Sequence, residues 1–143
     1  MKLRIVRIDK TLPLPEYHTP GSVAFDLYTR EEAEIPPGEV KLLPANLIIE
    51  VSAGFCLIIA SRSSLFKKGL ALANSIGVID QDYHGPEDEL HLSVRNVSRE
   101  IVKIARGERL AQGLIVPIAR VESWEEVEMI KEKSRGGYGS TGL

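Results

Sequence analysis

Asp80 closes a short apolar run, Ile76 to Ile79, and Asp82, Tyr83 and Gly85 follow within five residues. A carboxylate at a strand end beside a turn is held rigidly enough to orient or deprotonate a water. Tyr83 can stack on a flat ligand or pack in a core, and Asp82 can pair with a cation. Asp26 stands inside another apolar run, Val23 to Tyr28. A buried carboxylate there needs backbone N–H groups or an arginine beside it. Ser61 to Gly69 gathers Arg62, Ser63, Ser64, Lys67 and Lys68. A guanidinium fork with hydroxyls and backbone N–H groups is phosphate-binding chemistry, although a solvated turn has the same composition.

Two further segments carry groups of the same kind. Gln112, where Gly107 to Gln112 becomes apolar, can hold a water or a phosphate oxygen, or bond neighbouring backbone. The C-terminal stretch from Lys133 to Leu143 sets Lys133, Arg135, Tyr138 and several hydroxyls among four glycines. Glycine-rich backbone can wrap phosphates, and the same stretch reads equally as a solubilising tail. His18, in a proline-rich loop, reads as structural. No His/Cys spacing suggests a zinc site, and neither GxxxxGK[ST] nor GxGxxG occurs.

The elements that must position these groups are short. Leu3 to Ile8, Val23 to Tyr28, Leu47 to Val51, Phe55 to Ala60, Leu90 to Val94, Ile101 to Ala105 and Leu110 to Ile118 read as strands. Pro36-Pro37-Gly38 and Ser52-Ala53-Gly54 are turn signals. Many short strands predict an all-β sandwich or barrel with at most one short helix, the candidate being a turn near Ser64 to Lys68. Glu122 to Lys133 is expected to be an extended charged connector rather than a helix. The chain of 143 residues is 43% apolar, enough for one domain with a real core. Its net charge of −2 implies no bulk attraction to nucleic acid or anionic membrane. Cys56 is the one cysteine and reads as an inert core thiol, so no intrachain disulfide forms. The N-terminus lacks a signal-peptide h-region, and no apolar run approaches the ~20 residues of a membrane helix. A cytoplasmic protein is the expectation.

In order and spacing, five segments resemble the five motifs of the homotrimeric dUTP pyrophosphatases (dUTPases). They are Asp26 in AFDL, Arg62-Ser63-Ser64, Gly77-Val78-Ile79-Asp80 with Tyr83, Arg109-Leu110-Ala111-Gln112, and Gly136-Gly137-Tyr138-Gly139-Ser140-Thr141-Gly142. The resemblance implies a jelly-roll-like β-subunit, a trimer with active sites between subunits, and hydrolysis of dUTP to dUMP and pyrophosphate. Such hydrolysis limits uracil in DNA and supplies dUMP. It implies Mg²⁺ held mainly by the triphosphate, with a water-mediated contact to Asp26. Asp80 matches the water-activating acid, and Tyr83 the ring that packs on deoxyribose and disfavours a 2′-hydroxyl. The backbone around Asn74 and Val78 to Asp80 matches the hairpin that reads uracil, and His91 a substrate-side position if the insertion is placed before it; Arg62, Ser63, Ser64 and Gln112 match the phosphate side. Residues 131–143 match a lid in which Tyr138, Gly139 and Ser140 cover the substrate. Tyr138 stands where the family usually has phenylalanine. Lys133 or Arg135 reaches the γ-phosphate. Pro86-Glu87-Asp88 is an insertion relative to the family pattern. The related dCTP deaminases need a glutamate in the strand that here reads Leu90-His91-Leu92-Ser93-Val94, where none occurs. A non-catalytic nucleotide-binding relative would be expected to lack Asp80, Gln112 or the tail aromatic, and all three are present.

Overall fold

The structure, a computed structural model, describes residues 1–137. Its strands are β1 (Arg4–Arg7), β2 (Phe25–Tyr28), β3 (Ala33–Ile35), β4 (Val40–Pro44), β5 (Leu47–Glu50) and β6 (Phe55–Ser61). They continue as β7 (Leu70–Leu72), β8 (Ile76–Ile79), β9 (His91–Asn96), β10 (Val102–Ile104) and β11 (Arg109–Pro117). The helical content of the described residues is one 3-10 turn, Leu65–Lys68, closed by Gly69 in the left-handed region at φ 71°. The all-β expectation is met, and so is the short turn after Ser64.

All strand pairings are antiparallel. A four-stranded sheet runs β2-β11-β6-β8 and a three-stranded one runs β4-β9-β7. β1 pairs with β5, and β3 with β10. The inward rows of the larger sheets meet in one core: Leu27, Leu57 and Leu110 from one side, Leu43, Leu70 and Leu92 from the other. Each such side chain contributes about 1.5–3 kcal/mol on leaving water. β11 is the longest strand, paired with β2 and β6 at once. At Gly113 the sheet has no room for a side chain. A Cβ there would lie 2.7 Å from the Phe25 ring and 3.0 Å from Leu57 Cδ1.

Each of the seven runs read as strands forms one, trimmed or extended by a residue or two at its ends. Three strands lack a pattern of their own. β3 and β7 have three residues each, too few for alternation to register. β4 exposes Val40, Lys41 and Leu42 and buries Leu43 and Pro44, so it has no clean two-residue period. Residues 122–133 adopt no regular secondary structure and are exposed throughout, in line with the expected connector. No helix among the described residues is long and apolar enough to cross a membrane.

β7 and β8 follow each other in the chain but belong to different sheets. β7 pairs with β9 on the smaller sheet, and β8 pairs with β6 as the last strand of the larger one. The chain changes sheet through Ala73-Asn74-Ser75, where Ser75 takes φ 63°. Ser75 N–H donates to the Leu72 carbonyl at 3.1 Å and Ile76 N–H to the Asn74 carbonyl at 2.7 Å. This splayed pair of edge strands is what opens the site.

Candidate active site

A cavity of about 150 Å³ lies where β7 and β8 part. Its lining includes Asn74, Gly77, Val78, Ile79 and His91, with Ile59 and Leu72 as apolar floor. Asn74, Val78 and Ile79, expected on the uracil side, therefore share one pocket with His91, expected at a substrate-side position. One edge of β8 has no strand partner among the described residues, so its backbone donors and acceptors are free for a ligand.

Asp80 is the next residue after β8 and is exposed. With Cys56, Gln81, Asp82 and Arg120 it lines a second cleft of about 430 Å³ at the end of the sheet. The turn after it is anchored. Tyr83 N–H donates to the Asp80 carbonyl at 3.3 Å, and Gln81 Nε2 donates to the Phe55 carbonyl at 2.9 Å. Tyr83 does not sink into the core; its ring is partly exposed and its hydroxyl donates to the Glu89 carbonyl at 3.2 Å. His91 Nδ1 lies 2.8 Å from the same carbonyl. The inserted loop closes on itself, Gly85 N–H donating to Asp88 Oδ2 at 2.6 Å.

A second group of site residues forms around Asp26 on β2. The strand buries its carboxylate, and three cationic or potentially cationic groups meet it there. Arg62 Nε lies 2.8 Å from Oδ1; Arg109 Nη1 and His18 Nε2 lie 3.0 and 2.7 Å from Oδ2. His18 Nε2 also lies 2.8 Å from Arg109 Nη1, so it sits between an acceptor and a donor of the cluster. At its rim the two guanidiniums face the carboxylates of Asp26 and of Glu16, whose Oε1 lies 3.5 Å from His18 Nδ1. Arg109 and Arg62 remain part-exposed there. Gln112 pairs directly with Asp26 across β2 and β11, and its Nε2 donates to the Ser61 carbonyl at 3.1 Å. Ser63 and Ser64 are exposed on the turn behind Arg62, and the Ser64 hydroxyl makes no capping bond. Burial, then the charge of Glu16, pushes the neighbouring Tyr28 phenol above its usual pKa. His18 was missed by sequence reasoning. The Thr19-Pro20-Gly21 turn that folds it back onto Asp26 was the available signal.

Lys133 and Arg135 are exposed on a segment without regular secondary structure. Tyr138, Gly139 and Ser140 lie outside the described residues.

The family model described as dUTPase matches residues 10–142. The chain belongs to the dUTPase family. A deoxyuridine 5′-triphosphate nucleotidohydrolase of Dictyoglomus turgidum is 40% identical, over 100% of this chain and 99% of that relative. The crystal structure of a dUTPase from Streptococcus mutans is 31% identical with a TM-score of 0.77, over 86% of this chain and 100% of that one. The dUTPase of Staphylococcus bacteriophage 80alpha, solved with dUpNHpp, shares the fold at 24% identity and TM-score 0.80, over 99% of both chains. The dUTPase fold is the jelly-roll-like one expected.

Proposed function

We propose that the protein hydrolyses dUTP to dUMP and pyrophosphate, in a homotrimer whose active sites lie between subunits. The carrying observation is the cavity at the splayed β7–β8 edge, with Asp80 directly after it, in a chain of this family. Backbone groups of Val78 and Ile79, with Asn74 and His91, take the uracil edge. A cytosine presents the opposite donor and acceptor at two of its positions. Fixed backbone groups would be left unpaired against it, at about 1–3 kcal/mol for each buried group. Tyr83 packs on the deoxyribose and leaves no room for a 2′-hydroxyl. Asp80 orients a water and takes its proton as the oxygen attacks the α-phosphorus. Arg62, Ser63, Ser64 and Gln112 hold the phosphate chain.

The length of β6 supports the intersubunit arrangement. Ile79 pairs with Leu57, so continuing the register sets Asp80 beside Cys56. Arg62 is six residues further along, about 20 Å at strand rise. No side chain spans that gap within one chain, which supports a substrate shared between the acid of one copy and the phosphate cluster of another. Residues 1–143 form one domain, in which 131–143 is a lid whose tail cation, Lys133 or Arg135, reaches the γ-phosphate.

Among the described residues no three His, Cys, Asp or Glu side chains converge as a metal cage. Asp26 keeps roughly one lone-pair position after Arg62, Arg109 and His18 are counted. This donor set fits Mg²⁺ carried on triphosphate oxygens, with Asp26 reached through a bound water. So held, the ion would offset phosphate charge.

The test is pyrophosphate release from dUTP, dCTP, UTP and dTTP with Mg²⁺. Selective turnover of dUTP is expected; equal rates on dCTP would refute the uracil reading.

A further inference from the structure

We propose that Arg30 and Glu89 are positioning residues that pin the wall on which the deoxyuridine rests; the inference builds on the substrate reading above. Glu89 is among the few buried charged side chains of the described residues, 8% exposed. Its Oε1 accepts from Arg30 Nε at 3.0 Å and from the Asn46 N–H at 2.8 Å. Its Oε2 accepts from Arg30 Nη2 at 3.0 Å. This is the planar two-bond fork that only arginine makes with a carboxylate. The hydrogen bonds to Glu89 raise the Arg30 pKa above its ordinary value.

Both anchors are themselves fixed. Arg30 N–H donates to the Pro44 carbonyl at 2.8 Å. Asn46 holds φ 66°, with its amide bonded to the backbone of Asp9 on both sides. The carboxylate of Glu89 is thus tied to the end of β2 and to the β4–β5 turn.

The backbone of the same residue faces the site. The Glu89 carbonyl accepts from the Tyr83 hydroxyl and from His91 Nδ1. A carbonyl only accepts, so the His91 proton sits on Nδ1 and Nε2 is left as an acceptor. One oxygen therefore sets the Tyr83 ring and the His91 tautomer together. Five residues separate Tyr83 from Glu89, including the inserted Pro86-Glu87-Asp88. The far end of that loop is anchored at Leu90, whose N–H donates to the Leu47 carbonyl and whose carbonyl accepts from the Ala45 N–H, both at 2.8 Å. The ion pair adds a side-chain tie at Glu89, the residue between that anchor and the loop. With Glu89 buried and Arg30 part-exposed, the pair adds little stability relative to a packed apolar pair, which points to positioning as its role.

The test uses the full chain in two forms, Glu89→Gln and the double variant Arg30→Met/Glu89→Leu. The first keeps shape and an acceptor for Asn46; the second leaves no buried charge unpaired. Circular dichroism establishes that both fold. The ¹⁵N signals of His91 report its tautomer, and kcat/KM is measured for dUTP and UTP. In the wild type we expect the Nδ1–H form and strong preference for dUTP. In the double variant the tautomers mix, KM for dUTP rises about tenfold with a smaller change in kcat, and the dUTP-to-UTP preference falls about tenfold. Glu89→Gln lies between. A folded double variant with unchanged tautomer and unchanged preference overturns the proposal. A wild type that does not hydrolyse dUTP overturns the substrate reading instead, and the tautomer still decides the clamp.

Discussion

Asp80 and Asp26 are both acids on apolar strands, and their surroundings divide their work. Asp80 is exposed at a strand end, with no ion-pair partner among the described residues. Asp26 is buried and met by Arg62, Arg109 and His18. The free acid suits proton transfer; the paired one organises cations. Replacing Asp80 by Asn should lower kcat on dUTP by ~10²–10⁴-fold with little change in KM, read by pyrophosphate release. An Asp80→Asn protein at full rate would remove Asp80 from that role. That Asp26 needs a partner was legible, because a lone carboxylate in an apolar strand is too costly. Which partner was not legible. His18 reaches it through a turn, and Arg62 and Arg109 through sheet register, neither of which leaves a local pattern. Glu89 was hidden for the same reason, since Arg30 lies 59 positions away.

Between residues and molecule, the splay of β7 from β8 makes the pocket. The apolar run of β8 and its terminal acid were readable, but not the change of sheet, because β7 is three residues long and pairs with a strand some twenty positions on. Packing across β11 is as demanding as the pocket is open. Gly113→Ala would press a methyl onto Phe25 and Leu57, costing about 1–3 kcal/mol. The expected result is a lower urea midpoint at unchanged m-value. A wild-type midpoint would show that the Phe25 ring gives way. The loop after β1 carries a pH-dependent tie. Hydrogen bonds from Arg106, then Thr11, hold the Asp9 carboxyl well below the usual range. A depressed folded pKa stabilises fully above the unfolded value, about 3.9, and the contribution is lost as pH falls below it. Asp9→Asn should therefore narrow the gap between urea midpoints at pH 7 and pH 3. An unaltered gap would show that this pair contributes nothing.

For the molecule as a whole, the all-β architecture was legible because turn residues punctuate nearly every apolar run. The charged connector was legible because Val127 and Ile130 give only a partial helical stripe, which Trp124 does not extend. Deleting residues 136–143 should cut turnover on dUTP steeply while the sedimentation mass stays that of the undeleted assembly; unchanged kinetics would refute the lid. β6 acts as a spacer: Asp80 sits at one end of its register and Arg62 just past the other. If each site borrows its acid and its phosphate cluster from different chains, two dead proteins can repair one another. Asp80→Asn and Arg62→Gln subunits, unfolded together and refolded at equal amounts, would then assemble about a quarter of their sites from two intact halves. Activity that emerges only after mixing would turn the length of one strand into a genetic phenotype, complementation between alleles of a single gene.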